Sequence, residues 1–289
     1  MTLPHVAIGV DGSLLSVRAL DRAADEAARR RAELRVVYAV SDRDEAGPIL
    51  ASAVTRVHER HPDLRVMTKS VEGPAAKVLT EESGRAALTV VGTRGLGGVA
   101  GTLLGSVSLR LAAHAHGPLM VVREDHRCYS GTAPWAGGPA VLLGLESDTD
   151  VDAAVYAFAE AERRGARLRV LHAQPRRHGT PELPSLISAT SPGQLSPGQQ
   201  RRAQRDRAEA AVPRFSLARL REHHPTVGVH TRTVRSGPSR ALLEATRQAA
   251  VVVIGAHRRK GHVGLRLGPV AHTLLHRSHC PVVLVPATR

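Results

Sequence analysis

The chain has 289 residues, 42% of them hydrophobic, with 40 Lys+Arg against 26 Asp+Glu and a formal net charge of +14. That length suits two domains of average size, each with its own core. No run of about 18 apolar residues occurs, and the N-terminus has no basic segment followed by an apolar one, so a membrane span and a signal peptide are excluded and a cytoplasmic protein is expected.

Cys128 and Cys280 are the only cysteines, which excludes a disulfide framework. The sixteen histidines are scattered, and pairs such as His114/His116 and His276/His279 lack a complete set of metal ligands. Cations concentrate in residues 127–289, 24 against 11 anions, whereas residues 1–126 carry 16 against 15. Only three of the forty are lysine, so the arginine excess reads as genomic base composition rather than a binding surface.

In chain order, HVAIGV (5–10) is an apolar run without alternation, as expected of a strand buried on both faces, and it leads into an Ala-rich amphipathic helix over 14–31. LRVVYAV (34–40) is a second strand. VEGPAAKVLTEE (71–82) ends a third and opens a helix, with Gly73-Pro74 at the junction, where glycine permits the turn and proline is tolerated in a first helical turn. ALTVVGTRG supplies a fourth strand ending at Gly92, and GPLMVVR a fifth. Residues 124–138 (EDHRCYSGTAPWAGG) have no periodicity and form the join, with Trp135 packing the linker onto a domain.

The pattern then repeats: PAVLLGL (139–145), a helix over 151–164, LRVLHAQ (168–174), VRSGPSRALLEA (234–245), AVVVIGAHR and CPVVLVP. The copies differ mainly by an insertion at 175–198, which holds five prolines and is expected to be a flexible excursion before an Arg-rich helix starting near 199. Alternating strands and helices imply right-handed βαβ crossovers. The expected architecture is two doubly wound Rossmann-like α/β domains, each with a five-stranded parallel sheet, over residues 1–126 and 137–289.

Ligands of open parallel sheets bind beyond the carboxyl ends of the strands, where strand order reverses. In the first copy the relevant strand ends are Gly9-Val10-Asp11-Gly12-Ser13 and the loop that follows Gly92, where the spacing is Gly92-x2-Gly95-x9-Gly105-Ser106. Glycines let a backbone approach a polyphosphate, and a helix starting near Ser106 would aim free N–H groups and its positive end at the anion. Ser106 and Ser108 add hydroxyls, Arg94 is the single arginine-finger candidate, and Asp11 is placed to accept from a ribose or base or to hold a divalent ion beside the phosphates.

The VDGS strand end, this spacing after a fourth strand and the closing HGPLMVV resemble the ATP-binding branch of the universal stress protein family, over nearly the whole chain as two fused copies. The resemblance implies a strand order of 3-2-1-4-5 and ATP, with Mg2+, as the ligand. The implied nucleotide residues are Gly9, Val10, Asp11, Gly92, Arg94, Gly95, Gly105, Ser106 and Ser108, with Val107 beside the phosphates and Ala39 meeting adenine through its backbone. It also implies that the copies pair through their apolar fifth strands, LMVV and VVLV, as a pseudo-dimer; whether the whole chain further forms a homodimer is left open.

In the second copy Glu146 replaces Asp11, Arg258 replaces the second glycine, and Gly268-Pro269 replaces Gly105-Ser106. Proline removes a hydroxyl and an N–H, so this copy is not expected to bind ATP in the same mode; either Glu146 and Arg258 close its cleft by meeting across it, or Arg258 points to solvent and the cleft is left unused. Arg259, Lys260 and Arg266 would still attract anions. No Gly-x4-Gly-Lys-Ser/Thr, no Gly-x-Ser-x-Gly and no glycine fingerprint after the first strand occurs, which excludes P-loop, nucleophile-elbow and dinucleotide chemistry. The expected role is a stress-response or regulatory nucleotide-binding protein, not an enzyme beyond weak ATP hydrolysis. The alternative of nucleic-acid binding through Arg201, Arg202, Arg205 and Arg207 is disfavoured, since a 2% aromatic content leaves few side chains to stack on bases.

Overall fold

The apolar runs of the sequence are strands buried on both faces, and helices with small or apolar stripes close over them. The computed structural model describes residues 4–40, 46–93, 105–123, 140–145, 150–173, 217–234, 237–256, 258–261 and 264–287. In the first half these are β1 (His5–Val10), α1 (Leu14–Arg30), β2 (Glu33–Val40), α2 (Ala46–Arg60), β3 (Val66–Glu72), α3 (Ala75–Ser83), β4 (Leu88–Gly92), α4 (Ser106–His114) and β5 (Leu119–Val122). The second half contains β6 (Ala140–Leu145), α5 (Val151–Arg163), β7 (Leu168–Ala173), α6 (217–223), β8 (Val229–Val234), α7 (Pro238–Ala245) and β9 (Ala249–Ala256). It continues with β10 (Arg258–Gly261), β11 (Gly264–Leu267), α8 (Pro269–Arg277) and β12 (Val282–Pro286).

Ten of these strands form one sheet in the order β3-β2-β1-β4-β5-β12-β9-β6-β7-β8. Each half therefore has the order 3-2-1-4-5. Neighbours within a half run parallel. Across the join β5 and β12 run antiparallel, with Leu119 opposite Leu284, Met120 opposite Val283 and Val121 opposite Val282. All seven of these strand residues that flank the junction, from Leu119 to Val122 and from Val282 to Leu284, are buried.

Both hydrophobic cores run through the junction. On one face Met120 and Val283 lie in a single cluster with Ala19, Ala23 and Ala27 of α1 and Ala153, Ala157 and Phe158 of α5. On the other, Leu119 and Leu284 join Leu111 of α4 and Leu274 of α8. Alanine on the sheet side of α1 and α5 lets the helix backbones approach closely, which is why these helices are so rich in it.

The halves also share a close-packing device. Gly9 of β1 lies beneath Leu79 of α3, where an added Cβ would come within 2.5 Å of a leucine methyl, and Gly144 of β6 lies in the same way beneath Leu242 of α7, at 2.9 Å. Helix boundaries follow from local chemistry. Ser13 caps α1, and Arg31, at φ 50°, terminates it in the left-handed region. Pro238 and Pro269 occupy first-turn positions of α7 and α8.

One feature departs from the sequence reading: the segment after β9, expected to be a loop, contains the antiparallel hairpin β10–β11, with Arg258 opposite Leu267 and Gly261 opposite Gly264. The join, the insertion at 175–198 and the helix expected to start near 199 lie outside the described residues, apart from the helical 217–223. Among the described residues no helix is long and apolar enough to cross a membrane.

Candidate functional site

The carboxyl ends of β1 and β4 are neighbours, because Ile8 pairs with Val90 and each strand then runs two residues further, to Val10 and Gly92. Beyond Val10 the chain turns through Gly12, whose φ of +79° lies in the left-handed region, where an L side chain is strained; a Cβ there would also stand 3.3 Å from Ile49. The turn folds the Asp11 carboxylate back on its own backbone. Its Oδ1 accepts from the Ser13 N–H (3.1 Å) and the Ser13 hydroxyl (2.6 Å). The same Ser13 oxygen accepts from the Ser16 N–H at 3.2 Å, so α1 is capped from within.

The β4 side is organised differently. Thr93 N–H donates to the Val122 carbonyl and the Gly105 N–H donates to the Thr93 carbonyl at 2.5 Å, so both ends of the glycine-rich segment are pinned together. Gly105 is the N-cap of α4 and provides no side-chain cap. The N–H groups of Ser106, Val107 and Ser108 therefore begin the helix without an intrahelical partner, at the positive end of its dipole. Ser106 is exposed, and Val107 is half-buried against the core. Ser108, expected to offer its hydroxyl to a ligand, is buried and donates it to the Gly92 carbonyl at 2.6 Å, locking the first turn of α4 to the end of β4.

Of the candidate residues, Gly9, Val10, Asp11, Gly92, Gly105, Ser106, Val107 and Ser108 line the ends of β1 and β4 and the start of α4. Ala39 is half-buried near the end of β2, opposite Val71. Arg94 and Gly95 lie outside the described residues. Val10 and Gly12 also line a cleft of about 260 Å³ between α1 and α2, with Val17, Ile49 and Arg56. Among the described residues no group of three or more His, Cys, Asp or Glu could hold a metal ion by itself.

The corresponding region of the second half lacks the same parts. Gly268 caps α8 as Gly105 caps α4, but Pro269 follows it and removes the first N–H. Ala271 stands where Ser108 does, so the hydroxyl tie between helix and strand is absent. Glu146 lies outside the described residues, and with it the expected ion pair to Arg258; the backbone of Arg258 opens β10. Two features escaped the sequence reading. The self-capping of Ser13 is visible in principle as Asp-x-Ser before an apolar run, whereas the Ser108–Gly92 bond joins residues sixteen apart and has no local signal.

The sequence profile described as the universal stress protein family matches residues 3–123 and again 140–286. A universal stress protein of Mycobacterium tuberculosis (strain ATCC 25618 / H37Rv) is 33% identical, over 96% of this chain and 94% of its own length. One of Mycolicibacterium smegmatis is 31% identical, over 97% and 96%. Among solved structures, a putative universal stress protein from Pseudomonas aeruginosa UCBPP-PA14 superposes with a TM-score of 0.62 at 16% identity, covering 98% of this chain and 93% of that one. A universal stress protein from Archaeoglobus fulgidus DSM 4304 gives 0.57 at 15%, covering 98% of both. With two matched copies of the family domain spanning almost all of its length, the chain belongs to the universal stress protein family as a tandem member.

Proposed function

We propose that the first half binds one ATP, with Mg2+, between the β1–α1 turn and the first turn of α4, that the second half does not bind it in this mode, and that the protein acts as a regulatory nucleotide-binding protein of the cytoplasm rather than as an enzyme. The observation that carries this reading is the contrast between helix starts. The start of α1 is already occupied by Ser13, the start of α4 is capped by glycine and presents N–H groups beside Gly92, and the start of α8 has lost an N–H to Pro269. A polyphosphate is the ligand class that such a glycine-capped helix start favours. Asp11 then lies on the strand side of the anion, held by Ser13 in an orientation from which its carboxylate can meet a ribose, a base or a phosphate-bound cation.

Titration calorimetry of the full chain with MgATP should give one site per chain. AMP and cyclic AMP, which lack the polyphosphate, should bind more weakly. A Gly105→Val, Ser106→Ala variant should lose affinity by about tenfold or more, since a Cβ branch at the cap and loss of the hydroxyl both act where the phosphates would lie. Two equal sites, or normal binding by that variant, would overturn the assignment.

A further inference from the structure

The β5–β12 ladder is made by backbone between two short apolar strands, and backbone pairing by itself would accept a second β5 as readily as β12. What distinguishes the partners lies above it, where α1 and α5 meet on one face of the sheet. Glu26 and Glu160 are fully buried there, and the side chains of Arg30 and Arg164 are each only 7% exposed. Each guanidinium bridges both carboxylates. Arg30 donates to Glu26 and, at 2.7 Å, to Glu160. Arg164 donates to Glu160 at 2.5 Å and to Glu26. Arg29 and Arg163 close the rim, at 3.2 Å from Glu26 and 2.9 Å from Glu160.

Glu26, Arg29 and Arg30 correspond in position to Glu160, Arg163 and Arg164, so the lattice has approximate twofold symmetry about the junction. One position breaks it: four residues before the glutamate, α1 carries Arg22 and α5 carries Tyr156. The Tyr156 hydroxyl accepts from Arg30 at 2.7 Å, and its ring lies 5.9 Å from the Arg30 guanidinium carbon and 5.7 Å from that of Arg163. On the other side Arg22 reaches only Glu26, at 3.3 Å, and its Nε and Nη2 are buried without a hydrogen-bond partner. Burial first, and then the charge of Arg164, weaken its hold on its proton. Cys280, which burial keeps protonated by pushing its thiol up to about 12, brings no negative charge to the seam.

We propose that this seam is a charge code for pairing, in which Tyr156 admits the arginine-rich face of α1 to α5 and thereby excludes a second copy of α1. In the observed pairing the buried set is Arg22, Arg30 and Arg164 against Glu26 and Glu160. Two α1 helices would bury a further arginine against no further carboxylate, and each Arg30 would meet an Arg22 where it now meets a phenol. The surface that fits the first half is thus an α5 surface, supplied by the second half of the same chain. Buried ion networks are best attested as devices of registry rather than of net stability, and this one sets the partner.

The test is a residue swap in the full chain, read by denaturant unfolding and sedimentation. Tyr156→Arg gives α5 the charge pattern of α1 and should lower the folded-to-unfolded ratio by about tenfold or more. Arg22→Tyr, which removes one of three buried arginines set against two carboxylates, should cause no loss. The double variant, Arg22→Tyr with Tyr156→Arg, moves the arginine–phenol contact to its twofold-related position and should return to within about threefold of the parent, as a monomer. Losses that simply add in the double variant, or a Tyr156→Phe variant as damaged as Tyr156→Arg, would overturn the code and leave Tyr156 a packing residue.

Discussion

Gly9 shows how a residue expected at a nucleotide site can owe its identity to packing. A Cβ at this position would press on Leu79 of α3 at 2.5 Å, so Gly9→Ala should destabilise the fold by about 1–3 kcal/mol. A Leu79→Ala change in the same chain should recover part of that loss, measurable as a coupling in a double-mutant cycle. Glu82 makes a second case. It is buried at 2% exposure and accepts from His5 (2.9 Å), Arg35 (2.8 Å) and Lys69 (2.9 Å). Burial works to raise its pKa, but the hydrogen bonds from Lys69 and Arg35, with His5 adding to them, outweigh it and hold the group at about 2 against an ordinary 4.5. Burial, helped by Arg35, also lowers the pKa of His5, so the imidazole donates in its neutral form. Because Glu82 is more acidic in the folded state, its contribution is complete above 4.5 and is lost as pH falls toward about 2; His5 adds to the loss below 6.5, where the unfolded chain takes up the proton first. Unfolding free energy measured against pH should fall across that window. Glu82→Gln should lose about 3 kcal/mol at neutral pH and flatten the acid limb.

At the scale of elements, the start of α1 depends on one hydroxyl that both caps the helix and orients Asp11. Ser13→Ala should cost about 1 kcal/mol in thermal or denaturant unfolding, a loss that Ser13→Asn, another good cap, should avoid. Most elements were legible in the sequence, because buried parallel strands appear as uninterrupted apolar runs and because Gly73-Pro74 and Gly237-Pro238 mark equivalent strand-to-helix junctions. Two things were not. The hairpin β10–β11 is built from short strands whose charges are all basic, Arg258–Gly261 and Gly264–Leu267, which carry no apolar run. The α1–α5 lattice was hidden for a subtler reason. Glu26 and Arg30 are four residues apart on a helix, the spacing of an ordinary solvated pair, and only the fold reveals that both face another helix with the same spacing. At the candidate site, the strand ends and the start of α4 were where the glycine spacing pointed. The use of Ser108 as a structural tie depends on a contact between two elements that sequence spacing does not encode.

At the scale of the whole molecule, two cores that both cross the β5–β12 junction make the halves one unfolding unit. Calorimetry should show a single transition, with the calorimetric and van't Hoff enthalpies in agreement, and hydrogen exchange should protect β5 and β12 to the same free energy. Two separate transitions would show that the junction contributes little. The same junction has a consequence for how the protein is made. The strand that covers β5 is β12, which follows it by about 160 residues. At a synthesis rate of roughly 5–20 residues per second, the first half waits about 8–30 s with an apolar edge uncovered and Glu26 without Arg164. In that interval the nearest similar edge belongs to the nascent chain on the next ribosome, and a cation where a phenol is needed would keep the two from settling together.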